Sequence, residues 1–226
     1  MRKLIDMRTG PPSDSLVAFF RACDLASGLV GSESVAVAWE MDSVVEGFTV
    51  GALAAHLYLA IRLFEAALEK PEPSSDRIGG IADFYSLNRV DERSDLVDSV
   101  HAGIRASAAD RARQGPVALA EQFDALVERL RSVLDDQLVT RLVPVWRIEG
   151  GATHLSDYLA TRIVELVVHA DDLASSVGME IDIPEEAASA AFGVFLELAR
   201  ARSGDVAVVR AFARRERGDA EVLRVL

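Results

Sequence analysis

The chain has one cysteine, Cys23, and four histidines, His56, His101, His154 and His169. A single thiol excludes an internal disulfide and any zinc site built from several thiolates, so a bound metal would draw mainly on histidine and carboxylate. Lysine is confined to Lys3 and Lys70 while arginine is plentiful, a compositional hint of a GC-rich genome. Positive charge is outweighed as well: 24 Lys and Arg against 36 Asp and Glu leave a formal net charge of -12. Phosphate binding needs a basic surface, so nucleic acid is not an expected partner, and the basic run from Ala213 to Gly218 is short and local. The longest stretch without acidic or basic residues, Gly47 to Ile61, falls short of the roughly 20 residues that cross a bilayer. The opening "MRKLIDMRTGPPSD" has early basic residues but no apolar stretch of signal-peptide length. No membrane association is expected, and the cytoplasm is the expected compartment.

With 226 residues, 50% of them apolar, the chain can bury a substantial core as one large or two small domains. Apolar residues recur at helical period from Asp14 to Val30, with Ser13 as candidate cap and Gly31 as stop. After a loop holding Trp39 and Gly47, Thr49 caps a second helix that runs to about Lys70. A Gly-containing connection then leads to a helix from Glu92 to about Gln114, and Pro116 opens another that ends near Leu134. The apolar, β-branched "LVTRLVPVW" predicts a short extended segment around 138–148. Thr153 or Ser156 is the expected start of the next helix, which stops at Gly178; two more follow, Pro184 to about Ala201 and Val206 to about Arg215. Long helices joined by short loops predict an all-α fold: a four-helix bundle over 1–178, with a helical extension over 179–226 packed on it.

Chemistry concentrates on two of these helices. On the second, Tyr58, Arg62, Glu65 and Glu69 share one face, while His56 falls on the apolar arc with Leu53, Ala60 and Leu63 and so points inward. On the helix ending at Gly178, Tyr158, Arg162, Glu165, His169, Asp172 and Ser176 form a polar stripe beside an apolar arc that includes Leu159, Leu166 and Leu173. Two readings of the stripe compete. It is a solvated face on which Glu165 and His169 make a helix pair worth roughly a few tenths of a kcal/mol. Or it lines a polar cleft inside the bundle, where His56 joins Glu165 and His169 as three ligands and leaves a fourth coordination position open, as catalytic zinc requires.

The segments "GFTVGALAAHL" (Gly47 to Leu57) and "RIVELVVHADDL" (Arg162 to Leu173) resemble the paired motifs of the mycothiol-dependent maleylpyruvate isomerase family, relatives of the DinB-like metal-binding four-helix bundles. The tail "VVRAFARRER" (Val208 to Arg217) is similar to sequences near the end of many members. The resemblance implies that His56, Glu165 and His169 bind a divalent metal, usually zinc, with Asp172 orienting a ligand from behind. Two departures stand out: Phe48 occupies a position where many members have tryptophan, and only Met179 to Leu226 follow Gly178, in place of the longer α/β domain of the isomerase itself.

The function thus implied is a thiol transferase or isomerase acting with a low-molecular-weight thiol, mycothiol, on a small electrophile. Zinc would deprotonate the thiol, and Tyr158 and Arg162 are candidates for binding thiol or substrate. Arg214 and Arg215 are candidates for closing the pocket. Two rivals keep the same fold: a hydrolase using metal-bound water, and a binding or stress-response bundle whose metal is structural or absent. Exposed parts of the first and third helices are where a homodimer would form.

Overall fold

The computed structural model describes residues 12–75, 78–88, 95–145 and 150–226. Its helices are α1 (Pro12–Val30), α2 (Glu33–Val37), α3 (Val50–Leu68), α4 (Ile81–Asn88), α5 (Asp95–Ala112), α6 (Pro116–Val133), α7 (Leu155–Ser176), α8 (Glu185–Ser203) and α9 (Asp205–Ala213). One antiparallel hairpin, β1 (Leu142–Pro144) with β2 (Ala152–His154), is the only sheet among the described residues. The chain therefore adopts the all-α class expected of it.

Packing follows the apolar periodicity. Helix α3 lies against α5, α6 and α7, while α1 lies against α6 and α7, so α1, α3, α6 and α7 enclose the core. Aromatic rings join them: Phe19 of α1 meets Phe64 of α3 at 5.3 Å, Phe64 meets Tyr158 of α7 at 5.7 Å, and Tyr58 of α3 meets Phe123 of α6 at 6.2 Å. By length and composition α3 could cross a membrane, but 67% of that window is buried inside the protein, where its neighbours cover it. Helix α8 lies across α1 and α7, and α9 packs on α8 together with the C-terminal turn Ala220–Leu223.

Local chemistry sets the boundaries. Helix α1 begins at Pro12, so Ser13 sits in its first turn rather than at the cap expected for it. At α6, Gly115 takes φ +86°, a conformation open to glycine, and Pro116 occupies the first turn. Helix α5 is described from Asp95, and the earlier part of the helix expected from Glu92 lies outside the described residues.

Three further expectations are corrected. The Gly-containing connection holds a helix, α4, whose eight residues are too few to show a period in the sequence. Helix α7 starts at Leu155, with neither Thr153 nor Ser156 at its cap; His154 takes that position without a side-chain cap bond. No side-chain cap is needed, because the Leu155 amide donates to the Arg141 carbonyl at 2.8 Å and strand β2 runs straight into the helix. The segment expected to be extended around 138–148 opens with a helical turn, Leu138–Thr140, before β1, and its residues 146–148 lie outside the described ones.

Candidate metal centre

The segment leading into α3 is built around one side chain. Gly47 takes φ +78° and turns the chain. Thr49 then caps α3, its hydroxyl accepting from the Ala52 amide at 3.1 Å. Phe48, between them, sets its ring edge-on against His56 at 5.7 Å. Gly51 runs beneath the buried Trp39 ring, whose Nε1 donates to the Ala112 carbonyl at 3.1 Å. His56 follows two turns after the cap and is only 18% exposed. The inward direction expected from its apolar arc is the one it takes.

Helix α7 supplies the facing groups. Glu165 and His169, one turn apart, keep 29% and 23% of their side-chain surface exposed, and Arg162 keeps 11%. These values show that this part of the stripe is partly buried where it meets His56 of α3, and is not a fully solvated face. Its lower end is buried outright, since Tyr158 packs on Phe64 and Phe84 and lies beneath the Arg162 guanidinium, 5.1 Å from it. At the other end, the Ser176 hydroxyl donates to the Asp172 carbonyl and accepts from the Val44 amide at 3.0 Å, which ties the loop before α3 to the end of α7.

His56 Nε2 and His169 Nε2 converge on the same atom, Glu165 Oε2, at 3.7 Å and 3.5 Å. One ligand atom from each of the three residues lies within 4.8 Å of the other two. A nitrogen–oxygen hydrogen bond has a length of about 2.7–3.2 Å. A tetrahedral ion with bonds of about 2.0–2.1 Å holds its ligands about 3.3–3.4 Å apart. The observed spacing is nearer the second pattern, and two imidazoles with one carboxylate are a donor set that zinc accepts with a position to spare. His169 Nδ1 donates to Asp172 Oδ2 at 2.9 Å, which fixes the ring and leaves the Nε2 lone pair for the cluster.

Without a metal the cluster holds protons. Burial would raise the Glu165 carboxyl, but the imidazoles of His169 and His56 and the Arg162 guanidinium outweigh it and keep the group well below the carboxylate range. Burial would lower His169, but the carboxylates of Asp172 and Glu165 outweigh it and bring the imidazole to about 9. A metal must displace that proton. If the cluster binds a metal, apparent affinity is expected to rise with pH up to about 9, approaching tenfold per unit, in a competition titration with a chromophoric chelator. In Asp172→Ala the rise levels off at lower pH, and above pH 9 binding is roughly ten- to hundredfold weaker because the ring is no longer oriented. A profile identical to wild type would remove Asp172 from the site.

The other expected residues fall elsewhere. Arg214 and Arg215 are exposed at the end of α9, and Arg214 donates to its neighbouring Ala213 carbonyl. A cleft of about 680 Å³ between α1, α4, α7 and α8 touches Ser156, Ala160 and Ile163, on the other side of α7 from the cluster. One group near the cluster had no sequence signal: Tyr85 of α4, whose hydroxyl is enclosed and close enough to Glu165 and Arg162 to feel both charges.

The family model described as the mycothiol maleylpyruvate isomerase N-terminal domain matches residues 19–174, a span that includes His56, Glu165, His169 and Asp172. No curated protein and no solved structure matches the chain.

Proposed function

From a chain that belongs to the mycothiol maleylpyruvate isomerase N-terminal domain family, we propose a metal-dependent thiol transferase or isomerase that uses a low-molecular-weight thiol, mycothiol, on a small electrophile. The observation that carries this reading is the meeting of His56 from α3 with Glu165 and His169 from α7, ligand atoms within 4.8 Å of one another. Residues 1–178 form the metal-binding unit and 179–226 its helical extension. The cytoplasm, where small thiols are kept reduced, is the place of action.

The residues would hold a divalent metal, zinc by donor type, which when bound lowers the pKa of a thiol at its open position so that the sulfur reacts as a nucleophile. His56 and His169 supply neutral nitrogens. Glu165 supplies an ionised oxygen and, as a ligand, is not a general base. Asp172 holds the His169 ring in the tautomer that frees Nε2. Arg162, nearly buried and 3.9 Å from Glu165, leaves positive charge beside the cluster for an acidic group of thiol or substrate. Tyr158 supports that guanidinium from below.

The test is a thiol-consumption and isomerisation assay on the zinc-loaded chain, with mycothiol and a panel of activated alkenes and epoxides. Turnover that needs both metal and thiol is the expected result. Metal-dependent hydrolysis without thiol would replace this reading with the hydrolase one, and no turnover on any member of the panel would count against an enzyme.

A further inference from the structure

Helix α9 is apolar on both sides. Val208 is buried where α9 packs on α8 and on the C-terminal turn, with Ala207 and Ala211 half-buried beside it. On the opposite arc Val206, Val209 and Phe212 are 63%, 64% and 69% exposed. A helix that is apolar all round is ordinarily covered all round, whereas the outward arc of a surface helix is polar. The outward arc of α9 therefore has the character of an interface. A shallow groove of about 320 Å³ runs along it, where Val206, Val209 and Ala213 meet Arg210, Arg214 and Arg217. The charge here is opposite to that of the whole: between Val206 and Arg217 stand four arginines, Arg210, Arg214, Arg215 and Arg217, and one acid, Glu216, in a chain of net charge -12. Arg210 and Arg215 make no ion pair among the described residues.

The cleft of about 680 Å³ between α1, α4, α7 and α8 has the converse character. Its floor is apolar, made by the buried Ala18, Ile163 and Val194, and acids border it, among them Asp14, Glu185, Glu186 and Glu197. No Lys, Arg or His is among the described residues that line it. Helix dipoles favour acids in the first turns of α1 and α8, where Asp14, Glu185 and Glu186 stand, but Glu197 lies about three turns further along α8. One molecule thus carries an apolar ridge bordered by guanidinium groups and an apolar trough bordered by carboxylates. The exposure of Val206, Val209 and Phe212 shows that α9 does not fill the cleft of its own molecule.

We propose that the chain pairs with a second copy of itself, the outward arc of α9 from one copy seating in the cleft between α1, α7 and α8 of the other. Contact between two strongly acidic chains is otherwise repulsive, so the local inversion of charge at α9 selects the orientation. An exchange made both ways closes the assembly as a dimer, and one made in a single direction continues into longer chains.

The experiment is sedimentation velocity on the full chain, from micromolar to submillimolar concentration, at low and high salt. Wild type should associate as concentration rises, and less so at high salt. Arg214→Glu with Arg215→Glu in one protein, and Glu185→Lys with Glu186→Lys in another, should each weaken association roughly ten- to hundredfold. An equimolar mixture of the two should recover it, because the acidic α9 of the first then meets the basic cleft of the second, and the unaltered α9 meets the unaltered cleft. All four positions are exposed, so melting temperatures should stay near that of wild type. Phe212→Ser should weaken association through the apolar part of the contact, and it carries the decision should a charge variant fail to fold. A wild type that stays monomeric throughout would overturn the proposal, as would undiminished association in Phe212→Ser or a mixture that recovers nothing. Undiminished association in the protein carrying Glu185→Lys and Glu186→Lys would also overturn it, and would set α9 against α9 instead.

Discussion

Replacing His169 or His56 by alanine is expected to strip the protein of its metal. The loss should exceed the roughly ten- to hundredfold typical of removing a supporting residue behind a ligand, because here a ligand itself is gone. In His169→Ala, Glu165 also loses the imidazole that does most to keep it ionised against burial, so a second ligand is weakened with the first. In His56→Ala the loss is more local: α7 keeps its Glu165 and His169 pair, but α3 contributes nothing to the ion. Both variants should fold, since each position is partly exposed and neither belongs to the packed core. His101→Ala, at an exposed position of α5, is the control with the same change of composition. The measurement is elemental analysis of protein purified without chelator or added metal. Near-stoichiometric metal in wild type and His101→Ala, absent from the other two, is the predicted pattern. Undiminished metal in a folded His169→Ala protein would dissolve the site.

The second large effect is on the scaffold. A Cβ at Gly51 would fall 2.5 to 2.7 Å from three atoms of the Trp39 ring. That ring is 6% exposed and tied by its Nε1 to Ala112, while the Gly51 amide donates to the Trp39 carbonyl at 2.8 Å. Neither partner can retreat without breaking a buried hydrogen bond. Helix propensity favours alanine over glycine by about 1 kcal/mol, but overpacking of a core costs about 1–3 kcal/mol and an orphaned buried donor a similar amount. Gly51→Ala should therefore destabilise the protein by about 2 kcal/mol, lowering its melting temperature by roughly 4–8 °C. Combining it with Trp39→Phe, which removes part of the obstructing ring, should give less than the sum of the two single losses. A melting temperature at or above wild type in Gly51→Ala would show that the ring yields more easily than its bonds imply.

Much of the scaffold was readable from residues alone because α3 and α7 are long, have clear apolar periods and, in α3, a threonine cap whose bond forms as expected. The inward turn of His56 was readable for the same reason, since it shares an arc with Leu53, Ala60 and Leu63. The stripe on α7 was not decidable in that way. Spacing places Tyr158, Arg162, Glu165 and His169 on one line, but only the neighbouring α3 determines whether that line meets water. Tyr158 shows the limit: a polar residue by type, it is buried by Phe64 and Phe84, and Phe84 belongs to a helix that was not expected. Helix α4 was invisible because its eight residues take their stability from docking on α7 and α8, a tertiary effect with no local signature. Tyr85 was lost with it. The α7 boundary was misplaced because a backbone carbonyl, that of Arg141, does what a capping side chain was expected to do.

The chain that cannot form an internal disulfide nevertheless places its candidate ligands far apart in sequence, at His56 on one helix and at Glu165 and His169 on another. An ion shared among them would act as a reversible cross-link, closing a loop of roughly 110 residues and restricting the unfolded chain much as a covalent bridge of that span does. The same three side chains that would activate a thiol would then also fasten the bundle, so the state of the catalyst and the durability of the fold would rise and fall together.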